Sequence, residues 1–125
     1  MKNILVVDDE EDLLFTIKYG FEKFKNEYNI NTAKNGQECL NILKKDIPNL
    51  ILLDLMMPNM NGWEVFDKLK ANQKYKKIPV IFLTARSDGL AADAGSMIAD
   101  DYIEKPVDID ELESRIGNVL KKNKK

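Results

Sequence analysis

The chain has 125 residues, 44% hydrophobic and 32% charged, with a formal net charge of −2, which suits one soluble globular domain with its own core. The charge argues against a general nucleic-acid binder, no apolar run approaches the ~18 residues that span a bilayer, and Met1-Lys2-Asn3 runs straight into a strand-like segment rather than a secretory signal, so a cytoplasmic protein is expected. One cysteine, Cys39, and no histidine remove internal disulfides, Cys- or His-based zinc sites and Ser-His-Asp catalysis, which leaves carboxylates, Lys, Thr, Tyr and a hard cation to carry any chemistry.

Ile4-Leu5-Val6-Val7 is a continuous apolar run and reads as a buried strand. Five acids follow, Asp8 to Asp12. Glu11 and Asp12 suit a helix N-terminus, whose dipole favours negative charge. Asp8 and Asp9 leave the strand directly and repel each other unless a cation stands between them. Leu13, Leu14, Ile17, Phe21 and Phe24 then mark one face of a helix. Tyr28 to Thr32 is a weaker second strand, Asn35-Gly36 starts the next helix, and Cys39, Leu40 and Leu43 line it. Cys39 reads as a small core residue, because nothing basic flanks it.

Leu50-Ile51-Leu52-Leu53-Asp54 is a strand buried on both faces that ends in one carboxylate. Pro58 to Gly62 is a loop of turn formers, and Trp63, Val65, Phe66 and Leu69 give a third helix. Lys74 to Lys77 reads as a solvated connection. Pro79 to Leu83 is another buried strand, ending in Thr84-Ala85-Arg86. Residues 88 to 98 have helical spacing weakened by Gly89 and Gly95. Asp101 to Glu104 is a short last strand before Lys105-Pro106. Asp108 and Glu111 resemble a capping box for a final helix that faces the core with Ile109, Leu112, Ile116, Val119 and Leu120. The basic residues 121–125 form a tail expected to fray.

Five strands alternating with five helices predict a doubly wound α/β domain, a parallel sheet covered on both faces, with no sign of a second domain within residues 1–125. Asp8, Asp9, Asp54, Thr84 and Lys105 all fall at the carboxyl ends of strands, the edge at which open α/β sheets bind ligands. Asp54 reads as a phosphoryl acceptor. Taken singly, Thr84 would be an ordinary strand residue and Tyr102 an ordinary core edge; together with the carboxylates they form a constellation.

The motifs Ile4-Leu5-Val6-Val7-Asp8-Asp9-Glu10, Leu53-Asp54-Leu55-Met56-Met57-Pro58-Asn59-Met60-Asn61-Gly62, Leu83-Thr84-Ala85-Arg86 and Asp101-Tyr102-Ile103-Glu104-Lys105-Pro106 resemble, in this order, those of a response-regulator receiver domain. The resemblance covers essentially the whole chain and implies a single flavodoxin-like (βα)5 receiver domain with strand order 2-1-3-4-5. In that order the first and third strands lie ~4.8 Å apart, within reach of one ion, and Lys105 must lean across roughly 10 Å from the fifth strand. The resemblance further implies Mg2+ (or Mn2+) held by Asp9, Asp54 and the backbone carbonyl of Met56, with Asp8 acting mostly through water. It implies phosphorylation of Asp54 by a phosphohistidine of a partner sensor histidine kinase or phosphotransfer protein, with Lys105 neutralising charge. Thr84 and Tyr102 would form a switch that changes the surface of segment 88–98, the last strand and the last helix. A cis Lys105-Pro106 bond is expected, and Met56 and Arg86 would tune water access. Such a domain is no enzyme beyond its own phosphorylation and dephosphorylation, and signals by contact with a downstream target protein, without direct nucleic-acid binding or membrane insertion. The family often carries Gly-Ala-Asp-Asp where Ile98-Ala99-Asp100-Asp101 stands here, and the interval from Thr84 to Lys105 is one residue short.

Three other readings meet specific objections. A degenerate receiver, acting as a constitutive binding module, does not need the complete residue set. An aspartyl-phosphate hydrolase wants Asp-x-Asp after the first strand, and Asp8-Asp9-Glu10 does not supply it. A flavodoxin-type cofactor binder needs a phosphate loop where five acids stand here, and no nucleotide-binding GxxxxGK[ST] loop exists.

Overall fold

A computed structural model of the protein describes residues 1–85 and 99–122. Five parallel strands, β1 (Lys2–Val7), β2 (Tyr28–Ala33), β3 (Leu50–Asp54), β4 (Val80–Thr84) and β5 (Asp101–Glu104), pair in the order β2-β1-β3-β4-β5. The helices are α1 (Glu11–Gly20), α2 (Gly36–Lys45), α3 (Gly62–Lys70) and α4 (Ile109–Lys122), with a 3-10 helix at Phe21–Phe24. The expected strand order is therefore the observed one. The fifth expected helix, at 88–98, and residues 123–125 of the tail lie outside the described residues.

Strand alternation sorts the core into two layers. Ile4, Val6, Leu50, Leu52, Ile81 and Leu83 point to one face, where Leu14 and Ile17 of α1 and Leu112, Ile116 and Val119 of α4 cover them. Leu5, Val7, Ile51, Leu53 and Phe82 point to the other, against Cys39 and Leu43 of α2 and Val65, Phe66 and Leu69 of α3. Burial on both sides is why β3 and β4 read as unbroken apolar runs. Phe82 is fully buried, with the rings of Trp63 and Phe66 at 5.1 and 5.2 Å. Removing that ring would cost about 3–5 kcal/mol.

The apolar face expected to continue as one helix through Phe24 does not do so. α1 stops at Gly20, where a Cβ would come within 2.6 Å of Ile109 Cγ1, so the close approach of α4 demands a glycine, a poor helix former. The tighter 3-10 turn then packs Phe21 and Phe24 against Tyr28, with ring centroids 5.7 and 6.5 Å away. Asn35 caps α2 by accepting from Glu38 N, and Asn61 and Glu64 make a full capping box on α3. The box expected at Asp108 is half made. Asp108 Oδ2 accepts from Glu111 N at 2.9 Å, but the Glu111 carboxylate accepts from Arg115 Nη1 at 3.1 Å.

The two acids before and within β5 have structural employment. Asp100 Oδ2 accepts from Val80 N at 2.9 Å, which ties the start of β5 to the start of β4. Asp101 receives Arg115 in a bidentate pair, at 2.7 and 2.8 Å, and Arg115 Nη2 also donates to the Tyr102 carbonyl. This anchors the short edge strand to α4. Burial would raise the Asp101 carboxyl, but the bonds from Arg115 and from the Tyr102 amide together outweigh it and hold Asp101 below its ordinary value.

Candidate functional site

The carboxyl edge of the sheet gathers the acids because β1 and β3 are neighbours and in register, Val7 beside Leu53. The next residues along both strands, Asp8 and Asp54, are 0% and 3% exposed, and Asp9 is exposed. Carboxylate oxygens of Asp8, Asp9 and Asp54 lie within 4.8 Å of one another. Glu10 N donates to Asp8 Oδ1 at 2.9 Å, and Met56 N donates to Asp54 Oδ1 at 3.2 Å. Each buried acid is thus fixed by the amide two residues on, an Asx-type turn at the end of a strand.

Lys105 reaches this cluster from β5. Its backbone N donates to Thr84 O at 2.7 Å, and the Lys105-Pro106 bond is cis. Its Nζ lies 2.7 Å from Glu10 Oε1, 2.9 Å from Asp8 Oδ2 and 3.6 Å from Asp54 Oδ1. The Asp8 contact is an ion pair lacking hydrogen-bond alignment, since among the described residues Oδ2 has no directed donor. Thr84, fully buried at the end of β4, has a hydroxyl with no hydrogen-bond partner among the described residues. Tyr102 is half-buried and packs on the layer of α2 and α3. Met56 points its side chain outward, 59% exposed. Arg86 lies outside the described residues.

Crowding of negative charge in a buried place governs the electrostatics. Burial, then the charge of Asp8, pushes the Asp54 carboxyl up to about 7, and Lys105 only partly opposes this. Asp8 is also raised, by burial first. Burial works against the charged Lys105, but the hydrogen bond to Glu10 and the negative charges of Asp8 and Asp54 hold its ammonium above its ordinary value. Carboxylates in such a cluster stay ionised together when a hard cation shares them. The oxygen-only donors of Asp8, Asp9 and Asp54 fit a divalent ion of that kind.

Two residues take parts that the local sequence pattern does not show: Glu10, which stands in the run of five acids, and Arg115. Glu10 meets a lysine 95 residues away, which no local pattern encodes. Gly62 is a third. A Cβ there would overlap the Asp54 carbonyl oxygen and lie 2.7 Å from Leu55 Cα. Only glycine lets α3 start against the end of β3, and Gly62 N closes the loop on Leu55 O at 2.9 Å. Within this loop Asn59 takes φ 68°, a left-handed conformation that Asn tolerates.

Fold and site together define a doubly wound parallel α/β domain with an acidic, lysine-bearing centre at the carboxyl edge of its sheet. The response regulator receiver domain model matches residues 4–117, and the chain belongs to that family. It is similar to the response regulator ArlR of Staphylococcus aureus, 39% identical over 98% of this chain and 54% of that protein. It is also similar to histidine kinase P4 of Formosa agariphila, 39% identical over 94% of this chain and 8% of that protein. Among solved structures, the receiver domain of the Francisella response regulator 1452 superimposes with a TM-score of 0.85 at 30% identity, covering 99% of this chain and 100% of that one. The chain thus spans about half, or far less, of these curated relatives. Receiver domains of this family serve two-component signalling together with histidine kinases. No described helix is long and apolar enough to cross a membrane.

Proposed function

We propose that this chain is a phosphorylation-activated signalling switch, in which Asp54 accepts a phosphoryl group from a phosphohistidine of a sensor histidine kinase or phosphotransfer protein. The observation that carries the reading is the buried Asp54 carboxylate at the end of a central strand, with the Lys105 ammonium 3.6 Å from its Oδ1. An ionised Asp54 oxygen attacks phosphorus in line. The new O–P bond forms as the P–N bond breaks, and the imidazole nitrogen leaves with the bonding pair and takes up a proton.

Phosphoryl transfer asks the protein mainly for positioning and charge compensation. The Met56 amide orients Asp54, and Lys105 moves its ammonium from Asp8 and Glu10 onto a phosphoryl oxygen. Asp9, Asp54 and the Met56 carbonyl would hold Mg2+ (or Mn2+), with Asp8 acting through water. The cation, when bound, supplies positive charge that keeps the acids ionised and offsets the phosphoryl oxygens. Thr84 would donate its buried hydroxyl to the phosphoryl group. Its displacement would let Tyr102 turn inward and change the surface of segment 88–98, β5 and α4, a population shift biased by local contacts.

In this reading residues 1–125 form one receiver domain, cytoplasmic, which catalyses only its own phosphorylation and dephosphorylation. It signals to a downstream protein without contacting nucleic acid itself. The test is intact mass after incubation with acetyl phosphate and Mg2+, for this chain and for Asp54→Asn. One added phosphoryl group on the parent and none on the variant is expected, with a change in Trp63 fluorescence. No labelling of the parent, or equal labelling of both, overturns the reading.

A further inference from the structure

The edge of the sheet opposite Asp54 has the reverse charge. Lys2 begins β1, Asn49 precedes β3, Ile78-Pro79 precede β4, Asp100 precedes β5 and Lys70 ends α3. All of them line one cavity of about 490 Å³, together with Lys76, Lys77 and Leu120. The lysines of the connection between α3 and β4, which in the sequence look merely solvated, are thus brought together with Lys2 from the far end of the chain.

Among the described residues none of the four lysines Lys2, Lys70, Lys76 and Lys77 is in an ion pair, whereas Lys23, Lys105 and Arg115 each hold a carboxylate. Lys70 is held in place: its Nζ donates to Lys76 O at 3.0 Å and lies 5.2 Å from the Phe66 ring centroid. Among the described residues the one acid in the lining, Asp100, is already engaged with Val80 N. The Asn49 carboxamide oxygen accepts from Asn3 N at 2.7 Å, which leaves its nitrogen as the remaining donor. Positive charge is therefore in excess around a concave surface, and like charges gathered this way attract a counter-ion.

We propose that this cavity binds a small organic anion bearing adjacent phosphoryl groups, of the size and class of a nucleoside diphosphate. The volume lies within the ~300–1,000 Å³ of small-molecule sites and far exceeds that of a lone inorganic ion. Lysines are point-charge phosphate ligands, while Ile78, Pro79 and Leu120 supply an apolar wall for the remainder of such a molecule. An acidic protein face would need roughly 800 Å² of complementary surface, for which a concave site is poorly shaped.

The test is amide NMR titration of the whole chain in metal-free buffer at near-physiological salt, using ADP, adenosine and inorganic phosphate as separate probes, on the parent and on the Lys76→Gln/Lys77→Gln variant. ADP is expected to give saturable shifts clustered at Lys2, Asn49, Lys76, Lys77, Ile78 and Asp100. Adenosine and inorganic phosphate should each bind at least about tenfold more weakly, and the variant should lose about tenfold or more in ADP affinity. The variant's otherwise superimposable spectrum reports that it is folded. Absence of saturation at millimolar ADP, shifts spread over all surface lysines, inorganic phosphate binding as tightly as ADP, or unchanged affinity in the variant would each overturn the proposal.

Discussion

Lys105 and Asp8 form an ion pair at 2.9 Å in which the carboxylate has no exposed side-chain surface and the lysine only 16%. The cation expected to serve Asp54 therefore rests on Asp8 in the unphosphorylated chain. Lys105→Met strands that carboxylate. Losing one partner of a buried pair costs ~3–5 kcal/mol, and partial exposure here reduces this to about 2 kcal/mol at neutral pH. Asp8 can escape by taking a proton, so the loss should grow as pH rises and shrink toward pH 4. Urea midpoints across that range check it; a loss independent of pH would contradict it.

Asp54→Asn should stabilise the metal-free protein at high pH only. The Asp54 carboxyl titrates near 7 in the folded chain against an ordinary value of 3.8, so the folded state holds the extra proton between them. The stability due to this group is full below about pH 4 and is lost as pH rises through about 7. Asparagine removes that dependence. Its midpoint should exceed the parent's above pH 7 and converge with it in acid.

Thr84→Val separates stability from signalling. Its hydroxyl is buried and has no partner among the described residues. A methyl group of the same shape should raise stability by about 1 kcal/mol. If the hydroxyl serves the phosphoryl group as proposed, the same change should lower the rates of both labelling and decay at Asp54 about tenfold or more. Thermal unfolding and a phosphate-release time course give the two readings.

Gly62→Ala should damage the centre without touching any charged group. The new Cβ meets backbone at Asp54 and Leu55, so α3 must move outward, at a cost of about 1–3 kcal/mol. The Met56 amide, which hydrogen-bonds Asp54, belongs to the same loop. Labelling by acetyl phosphate should therefore fall even under conditions where the variant is fully folded.

Arg115→Ala should release β5 from α4. The pair with Asp101 is about one-third exposed on the arginine side, so its loss is worth about 1 kcal/mol rather than the value of a buried pair. Asp101 is held below 3.8 in the folded chain. Its stabilisation is present above that pH and lost as pH falls through the lower folded value. The gap between parent and variant should persist from neutral pH to about 4 and close only in stronger acid.

The legible parts of this molecule are those encoded by near neighbours. The run Leu50 to Leu53 announces a two-sided strand and hence the place where Asp54 emerges. The caps at Asn35 and Asn61 were foreshadowed by turn formers ahead of helical spacing. What escaped depends on distant partners. Phe21 and Phe24 keep a helical spacing although Ile109, 89 residues after Gly20, ends the α-helix there. Glu111 has the position for a capping box, but Arg115 claims its carboxylate. The basic residues after α3 acquire a cavity only when Lys2 is folded beside them.

Cys39 closes off one more route into the molecule. Its sulfur is 0% exposed and burial pushes the thiol up to about 12, so neither access nor thiolate is available in the closed fold. A disulfide reagent in solution can reach it only while α2 is lifted from the sheet. With a single thiol the labelling trace has one component, and its rate becomes a stopwatch for local opening of that helix under native conditions.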